Sequence, residues 1–181
     1  MTGALGSLTW VGVDPGARWT GVVVRQADTL LWHRVVDRTK TGDATYLEDV
    51  EQALVTAAAH GDDLMWAIED AVAPCGFRDG KKQFARPVDI LALGQTLGWV
   101  RHVVVTLTTP SRIVLVRPGG HGRSLLRAYP EVLVTAAEKR GGMNRPAQSS
   151  AALSHARSAW DICGAAPLTA RIEAARARVA R

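Results

Sequence analysis

The chain has 181 residues, 47% of them hydrophobic, with 22 Lys plus Arg against 17 Asp plus Glu and a net charge of +5. That length suits one domain with a sizeable core. No unbroken apolar run reaches the roughly 18 residues of a membrane span, and no basic-then-apolar leader opens the chain, so a cytoplasmic protein with no membrane partner is expected. Arg far outnumbers Lys, and Arg suits bidentate phosphate contacts, so a nucleic-acid partner is favoured modestly. The two cysteines, Cys75 and Cys163, lie far apart and are expected as reduced, buried thiols rather than metal ligands.

"TWVGVDPGA" reads as a strand stopped by Pro15 and Gly16. "WTGVVVRQ" and "TLLWHRVVDRTK" follow as second and third strands, close enough for hairpin pairing. In "GDATYLEDVEQALVTAAAHGDD", Leu47, Val50, Leu54, Ala57 and Ala58 recur on one helical face, with Gly61 as a stop. "LMWAIEDAV" is a strand apolar enough to be covered on both faces. A second helix is predicted in "PVDILALGQTLGWVRH", and "VVVTLTTPSRIVLV" is expected to hold a fifth strand ending near Pro110. "GRSLLRAYPEVLVTAAEKR" reads as partly helical with a break at Pro130, and "GGMNRPAQSS" as a flexible linker. A last helix spans "AALSHARSAWDICGAA", with Pro167 dividing it from an Arg/Ala tail. The expected order is β-β-β-α-β-α-β-α, a mixed sheet rather than a plain dinucleotide-binding order.

Two acids stand where strands should be apolar: Asp14 ends the first strand and Glu69 the fourth. An isolated buried carboxylate is costly, so such acids pair with cations or bind a metal. Strand ends are also where α/β sheets build sites. The plain alternative is that each acid caps a helix or pairs with an Arg. Asp70, next to Glu69, should point to the opposite face. On the last helix His155, Ser158 and Asp161 step by three residues, each step about 60° off alignment. Three acids on separate elements point to a hard, oxygen-ligated cation such as Mg²⁺, and two such ions cleave phosphodiesters by activating water and stabilising the leaving oxygen. Zinc suits the sequence poorly, for want of a Cys/His cluster.

"VGVDPGARWTGVVV", "DRTK", "AIEDAV", "LALGQTLGWV" and "HARSAWD", in that order, resemble the RuvC-like Holliday junction resolvases of the ribonuclease H-like fold. The resemblance implies an α/β fold, with a central five-stranded mixed sheet whose first three strands are antiparallel, flanked by helices. It implies a nuclease domain over residues 1–166, leaving 167–181 as a helical Arg/Ala-rich tail. It also implies a homodimer that nicks opposite strands of a four-way DNA junction, using two Mg²⁺ ions per site, with Mn²⁺ as a substitute. Asp14 and Glu69 match the family's strand acids. The family closes its site with two acids, or His and Asp, three residues apart on the last helix. Here registering on Asp161 puts Ser158 upstream, and registering on His155 puts Ser158 where the acid should be. Asp161 is taken as the third ligand and His155 as an assistant, either a metal ligand or a base positioning water.

Phosphate contacts are expected from Arg18, Arg78, Lys81, Lys82, Arg86, Arg112, Arg117 and Arg123. In "GFRDGKKQFARP", Phe77 or Phe84 is a candidate wedge into an opened base stack. "PGGHGR" reads either as a phosphate-contacting loop or as plain turn chemistry. Two other functions stay open: a junction-binding module without catalysis, favoured by the incomplete last-helix pair, and a related nuclease for flaps, forks or structured RNA. The "DPGARWTG" turn also resembles the phosphate loop of sugar kinases and actin-like ATPases, but those need two such domains.

Overall fold

Alternation along the strands decides which side chains meet which layer. A computed structural model describes residues 8–70, 77–78, 81–82, 86–147 and 151–179. Strands β1 (Thr9–Asp14), β2 (Trp19–Gln26) and β3 (Thr29–Asp37) form an antiparallel meander. A short helix α1 (Arg38–Thr41) follows at once, capped by the Asp37 carboxylate, which accepts from the Thr39 N–H at 3.0 Å. Helix α2 (Asp43–Ala58) leads to β4 (Leu64–Glu69), which pairs parallel to β1. The pair β5 (Phe77–Arg78) and β6 (Lys81–Lys82) forms a separate small hairpin. Helix α3 (Pro87–Leu107) then crosses to β7 (Ile113–Val116), parallel to β4, and the five main strands lie in the order β3-β2-β1-β4-β7. Short 3₁₀ turns and α4 (Ala136–Arg140) precede the long α5 (Ala151–Val179).

Period-two placement splits the core into two layers. Val11 and Val13 of β1, Val22 and Val24 of β2, and Trp66 and Ile68 of β4 face α2 and α3, meeting Val50, Leu54, Leu97 and Val104. Trp10, Val23, Ala67, Val114 and Val116 face the other way, towards Ala156, Ala159, Ile162 and Cys163 of α5. Each fully buried aliphatic contributes about 1.5–3 kcal/mol. Asp14 continues the row of Trp10 and Gly12, and Glu69 the row of Met65 and Ala67. Both acids therefore end rows that face α5.

Three sequence expectations change. The fifth strand lies after Pro110, not before it: residues 103–107 belong to α3. The "VVV" run has high strand propensity, but Leu97, Val100, Val103 and Val104 are buried at helical spacing, and packing overrides a weak local preference. Helix α5 runs through Pro167 instead of stopping there; proline removes one backbone hydrogen bond, and the helix absorbs that loss. Residues 141–147 are not a free linker. They fold back on 124–127, with Leu126 N–H donating to Arg145 O and Ala147 N–H to Ser124 O, both at 3.0 Å; residues 148–150 lie outside the described set. Among the described helices, α3 alone is long and apolar enough by length and composition to cross a membrane, and one of its faces packs into the core. Cys163 is a buried free thiol, while Cys75 lies outside the described residues.

The α4–α5 contact contains a buried ion pair, Arg157 Nη1 donating to Glu138 Oε1 at 2.8 Å. Thr135 and Glu138 also form a capping box. Burial pushes the Glu138 carboxyl up, but hydrogen bonds from Arg157 and Thr135 outweigh it and hold the group below the usual carboxylate range. A depressed carboxyl stabilises the fold above its unfolded pKa, and that contribution is lost as pH falls through the folded value. Glu138→Gln is expected to flatten the acid limb of stability below about pH 4.5. Glu138→Ala removes the carboxylate opposite buried Arg157 and is expected to destabilise the fold at neutral pH by up to about 3–5 kcal/mol, the scale for breaking a buried pair; urea unfolding across a pH series checks both.

Candidate active site

Parallel pairing in register, Val13 opposite Ile68, sets Asp14 and Glu69 side by side at the C-terminal ends of β1 and β4. Asp14 is 7% exposed. Beyond it, Pro15 and Gly16 turn the chain so tightly that a Cβ on Gly16 would lie 3.0 Å from His155 Cε1 and 2.2 Å from Trp19 O. Glycine here is a demand of close approach. His155, in the second turn of α5, lies against Trp19 with ring centroids 5.9 Å apart and the planes tilted by 34°, and the Arg18 guanidinium lies 4.2 Å from a Trp19 ring centroid.

The two acids each meet an imidazole. His155 Nδ1 lies 2.8 Å from Asp14 Oδ2, and His121 Nδ1 lies 3.0 Å from Glu69 Oε1. Burial pushes the Glu69 carboxyl up, the His121 hydrogen bond pulls it down, and neighbouring Asp14 raises it again, leaving it above the usual range. The Glu69 hydrogen bond in turn lifts His121, with further help from Asp161 and Asp14 and against its own burial. His155 Nδ1 is buried, yet it has no aligned hydrogen-bond partner among the described residues in spite of its closeness to Asp14. Two adjacent acids with a raised carboxyl, and a buried nitrogen directed at one of them without alignment, form a donor set that suits a divalent cation. Among the described residues no three such side chains gather into one ready-made cluster.

Asp161 plays a different part in this geometry. Its Oδ2 accepts from Gly122 N–H at 2.8 Å and from Tyr129 O–H at 2.9 Å, with Ser124 Oγ at 3.5 Å. It thus ties the loop after β7 to α5, two turns along the helix from His155. Burial pushes the Tyr129 hydroxyl up to about 12, so it stays a donor. Ser158 is buried beneath the same loop: a Cβ on Gly122 would come within 2.9 Å of Ser154 O and 3.2 Å of Ser158 N. His121 and Tyr129 were missed as site residues by sequence reasoning. The available signal was a histidine flanked by glycines just after a strand that pairs beside Glu69.

The basic residues fall into separate groups. Arg18, Arg117 and Arg123 are exposed on the turn and loop that frame the acids. Arg86 is paired with Asp89 at the start of α3. Arg112 lies at the opposite end of the sheet, held by Asp62 and Asp63. Arg78, Lys81 and Lys82 sit on the small hairpin and Phe77 on its first strand, but their side chains and all of Phe84 lie outside the described set. Asp70 points away from the site to Arg101, as alternation predicts.

No protein-family model matches the sequence, and no curated protein matches it. In three dimensions the chain is similar to Thermus thermophilus RuvC in complex with Holliday junction substrate. The TM-score is 0.58 at 16% identity, covering 91% of this chain and 96% of that one. The fold is that of RuvC. A further Thermus thermophilus RuvC structure aligns at a TM-score of 0.47 and 17% identity, over 84% of this chain and 90% of that one. The RuvC fold accounts for the ribonuclease H-like architecture expected from the sequence: a five-stranded mixed sheet, its first three strands antiparallel, between helices.

Within this RuvC-like frame, Tyr129 links Asp161 to the loop, because its hydroxyl also accepts from Ser124 N–H at 2.9 Å. Tyr129→Phe is expected to cost about 1.5–3 kcal/mol, the scale of a hydrogen bond to a charged group. Amide exchange should speed up at Gly122 and Ser124 while β1 and β4 stay protected.

Proposed function

We propose that the chain is a cytoplasmic, metal-dependent endonuclease that resolves four-way DNA junctions by paired nicks. The observation that carries this reading is the meeting of Asp14, Glu69 and His155 at one end of a RuvC fold, with exposed Arg18, Arg117 and Arg123 on the adjoining turn and loop. One solved structure of that fold, from Thermus thermophilus, is in complex with Holliday junction substrate.

Asp14, Glu69 and His155 would hold a divalent cation. When bound, Mg²⁺ or Mn²⁺ supplies a water of lowered pKa and positive charge opposite the leaving oxygen. The chain's own residues do the rest. Trp19 holds the His155 ring by a tilted ring contact. The Pro15–Gly16 turn keeps the approach to Asp14 low enough for a phosphate to reach it. Arg18, Arg117 and Arg123 orient the sugar–phosphate backbone. Asp161 keeps the loop after β7 seated.

Paired nicks need two sites, so the reading includes a homodimer. The outer face of α3 supports one: Val88, Leu91 and Val105 are exposed there, and a Cβ on Gly94 or Gly98 would meet nothing. Such an apolar, low-relief helix face suits a second copy of itself across a two-fold axis. A second reading, a junction-binding module without catalysis, is favoured by Ser158, which leaves the pair of ligands expected on the last helix incomplete in either register.

A labelled four-way junction incubated with Mg²⁺ or Mn²⁺, beside linear duplex and flap substrates, decides between them. Symmetric nicks are expected, reduced by at least about a hundredfold in Asp14→Asn, the scale on which loss of a metal-site group acts. Tight binding without a cut under either ion would favour the binding module. Leu91→Glu with Gly98→Glu is expected to give a monomer in sedimentation velocity that nicks only one strand per encounter.

A further inference from the structure

The acid expected on α5, Asp161, is committed to the loop after β7, and the position three residues after His155 holds a buried serine, Ser158. What fills the space over Ser158 is that same loop, pressed down at Gly122. The loop carries His121 between two glycines of positive φ, Gly120 at 74° and Gly122 at 77°, and brings its ring to Glu69. We propose that His121 is a metal ligand that takes the place of the acid absent at position 158. The centre then has two carboxylates and two imidazoles, Asp14, Glu69, His121 and His155, and selects a first-row transition ion such as Mn²⁺ over Mg²⁺. This rests on the reading of the site as a divalent-cation centre.

The spacing supports it. Two ligand atoms at about 2.1 Å from one octahedral ion, at right angles, stand about 3.0 Å from each other. The two imidazole–carboxylate contacts are 2.8 and 3.0 Å, and Nδ1 is the near atom in both. The groups stand as two neighbouring pairs, Asp14 with His155 and Glu69 with His121. The acids between them end neighbouring strands paired in parallel register, so an ion gathers pairs that already adjoin. A site with imidazole nitrogen beside carboxylates is less suited to Mg²⁺, which holds to oxygen and keeps its waters, than to a first-row transition ion, of which Mn²⁺ is the one that still accepts the carboxylates readily. The loop has the support a ligand needs: Asp161, Tyr129 and Ser124 fix its backbone from behind, so His121 is delivered at a set height above the sheet.

The test measures binding, not cutting. Mn²⁺ is titrated into the full chain and the free-ion electron paramagnetic resonance signal is followed, with Mg²⁺ as competitor. Pulsed spectra of the bound ion then read nitrogen coupling. The wild type is expected to favour Mn²⁺ by at least about tenfold and to show coupling from two imidazoles. His121→Asn should weaken Mn²⁺ by about 10–100-fold, narrow the preference over Mg²⁺ and remove one nitrogen. His33→Asn, on a strand away from the acids, serves as the control, and circular dichroism verifies that each variant is folded. Unchanged Mn²⁺ affinity and nitrogen coupling in folded His121→Asn would overturn the inference while leaving the nuclease reading intact. A wild-type chain that takes up neither ion would overturn both.

Discussion

Helix α5 lies so close to β1 and β2 that backbone meets backbone, and the rest of the molecule is arranged around that contact. A Cβ on Gly12 would fall 2.1 Å from Ala159 O, and one on Gly21 would fall 2.2 Å from His155 O. Any side chain at either place would lift the helix off the sheet. Because neither glycine has one, His155 drops to the level of Asp14, Ala156 and Ala159 fill the layer between, and Cys163 packs against the backbone of β1. The loop after β7 then has a firm surface to rest on. A change of a few tenths of an ångström at this seam would be felt at the acids, since packed interiors transmit displacement instead of absorbing it.

Partner identity separates the structural acids from those of the centre. Asp70 and Glu138 meet arginines, whose fixed charge answers theirs permanently. Asp14 and Glu69 meet histidines, whose charge depends on what else is present. An arginine beside Asp14 would satisfy it once and for all. The imidazoles leave the acids available. Buried carboxylates are costly in either arrangement, and only the second keeps that cost open for use.

Much of this was legible in the residues. Strand alternation and the Pro15–Gly16 stop placed Asp14 and Glu69 at adjacent strand ends, and the helical spacing of Val50, Leu54 and Ala57 placed α2. The "VVV" of α3 was not legible, because β-branched runs favour strands locally and only tertiary burial reverses that preference. Pro167 misled for a similar reason: a helix can lose one hydrogen bond and continue. The part played by His121 depended on a loop of glycines folding back over α5, a long-range contact with no periodic signature. That His155 meets Asp14 while Asp161 meets the loop after β7 depends on which side of α5 faces β1, and that is set by Gly12 and Gly21 rather than by anything on the helix itself.

The spread of the centre along the chain has a consequence for how it comes into being. The meander of β1, β2 and β3 needs only hairpin contacts, which form early and locally, while parallel pairing of β1 with β4 must close a much longer loop. Residues 14 and 69 can thus stand together while 121 and 155 are still to be made, at synthesis speeds of about 5–20 residues per second. A nascent chain in that interval bears two bare carboxylates on an uncovered sheet, repelling each other and any nearby phosphate. Only the arrival of α5 brings His155 to Asp14 and gives the loop after β7 a surface to rest on. The glycine seam therefore sets an order as well as a fit: the acids stay without their imidazole neighbours until the last long helix has docked.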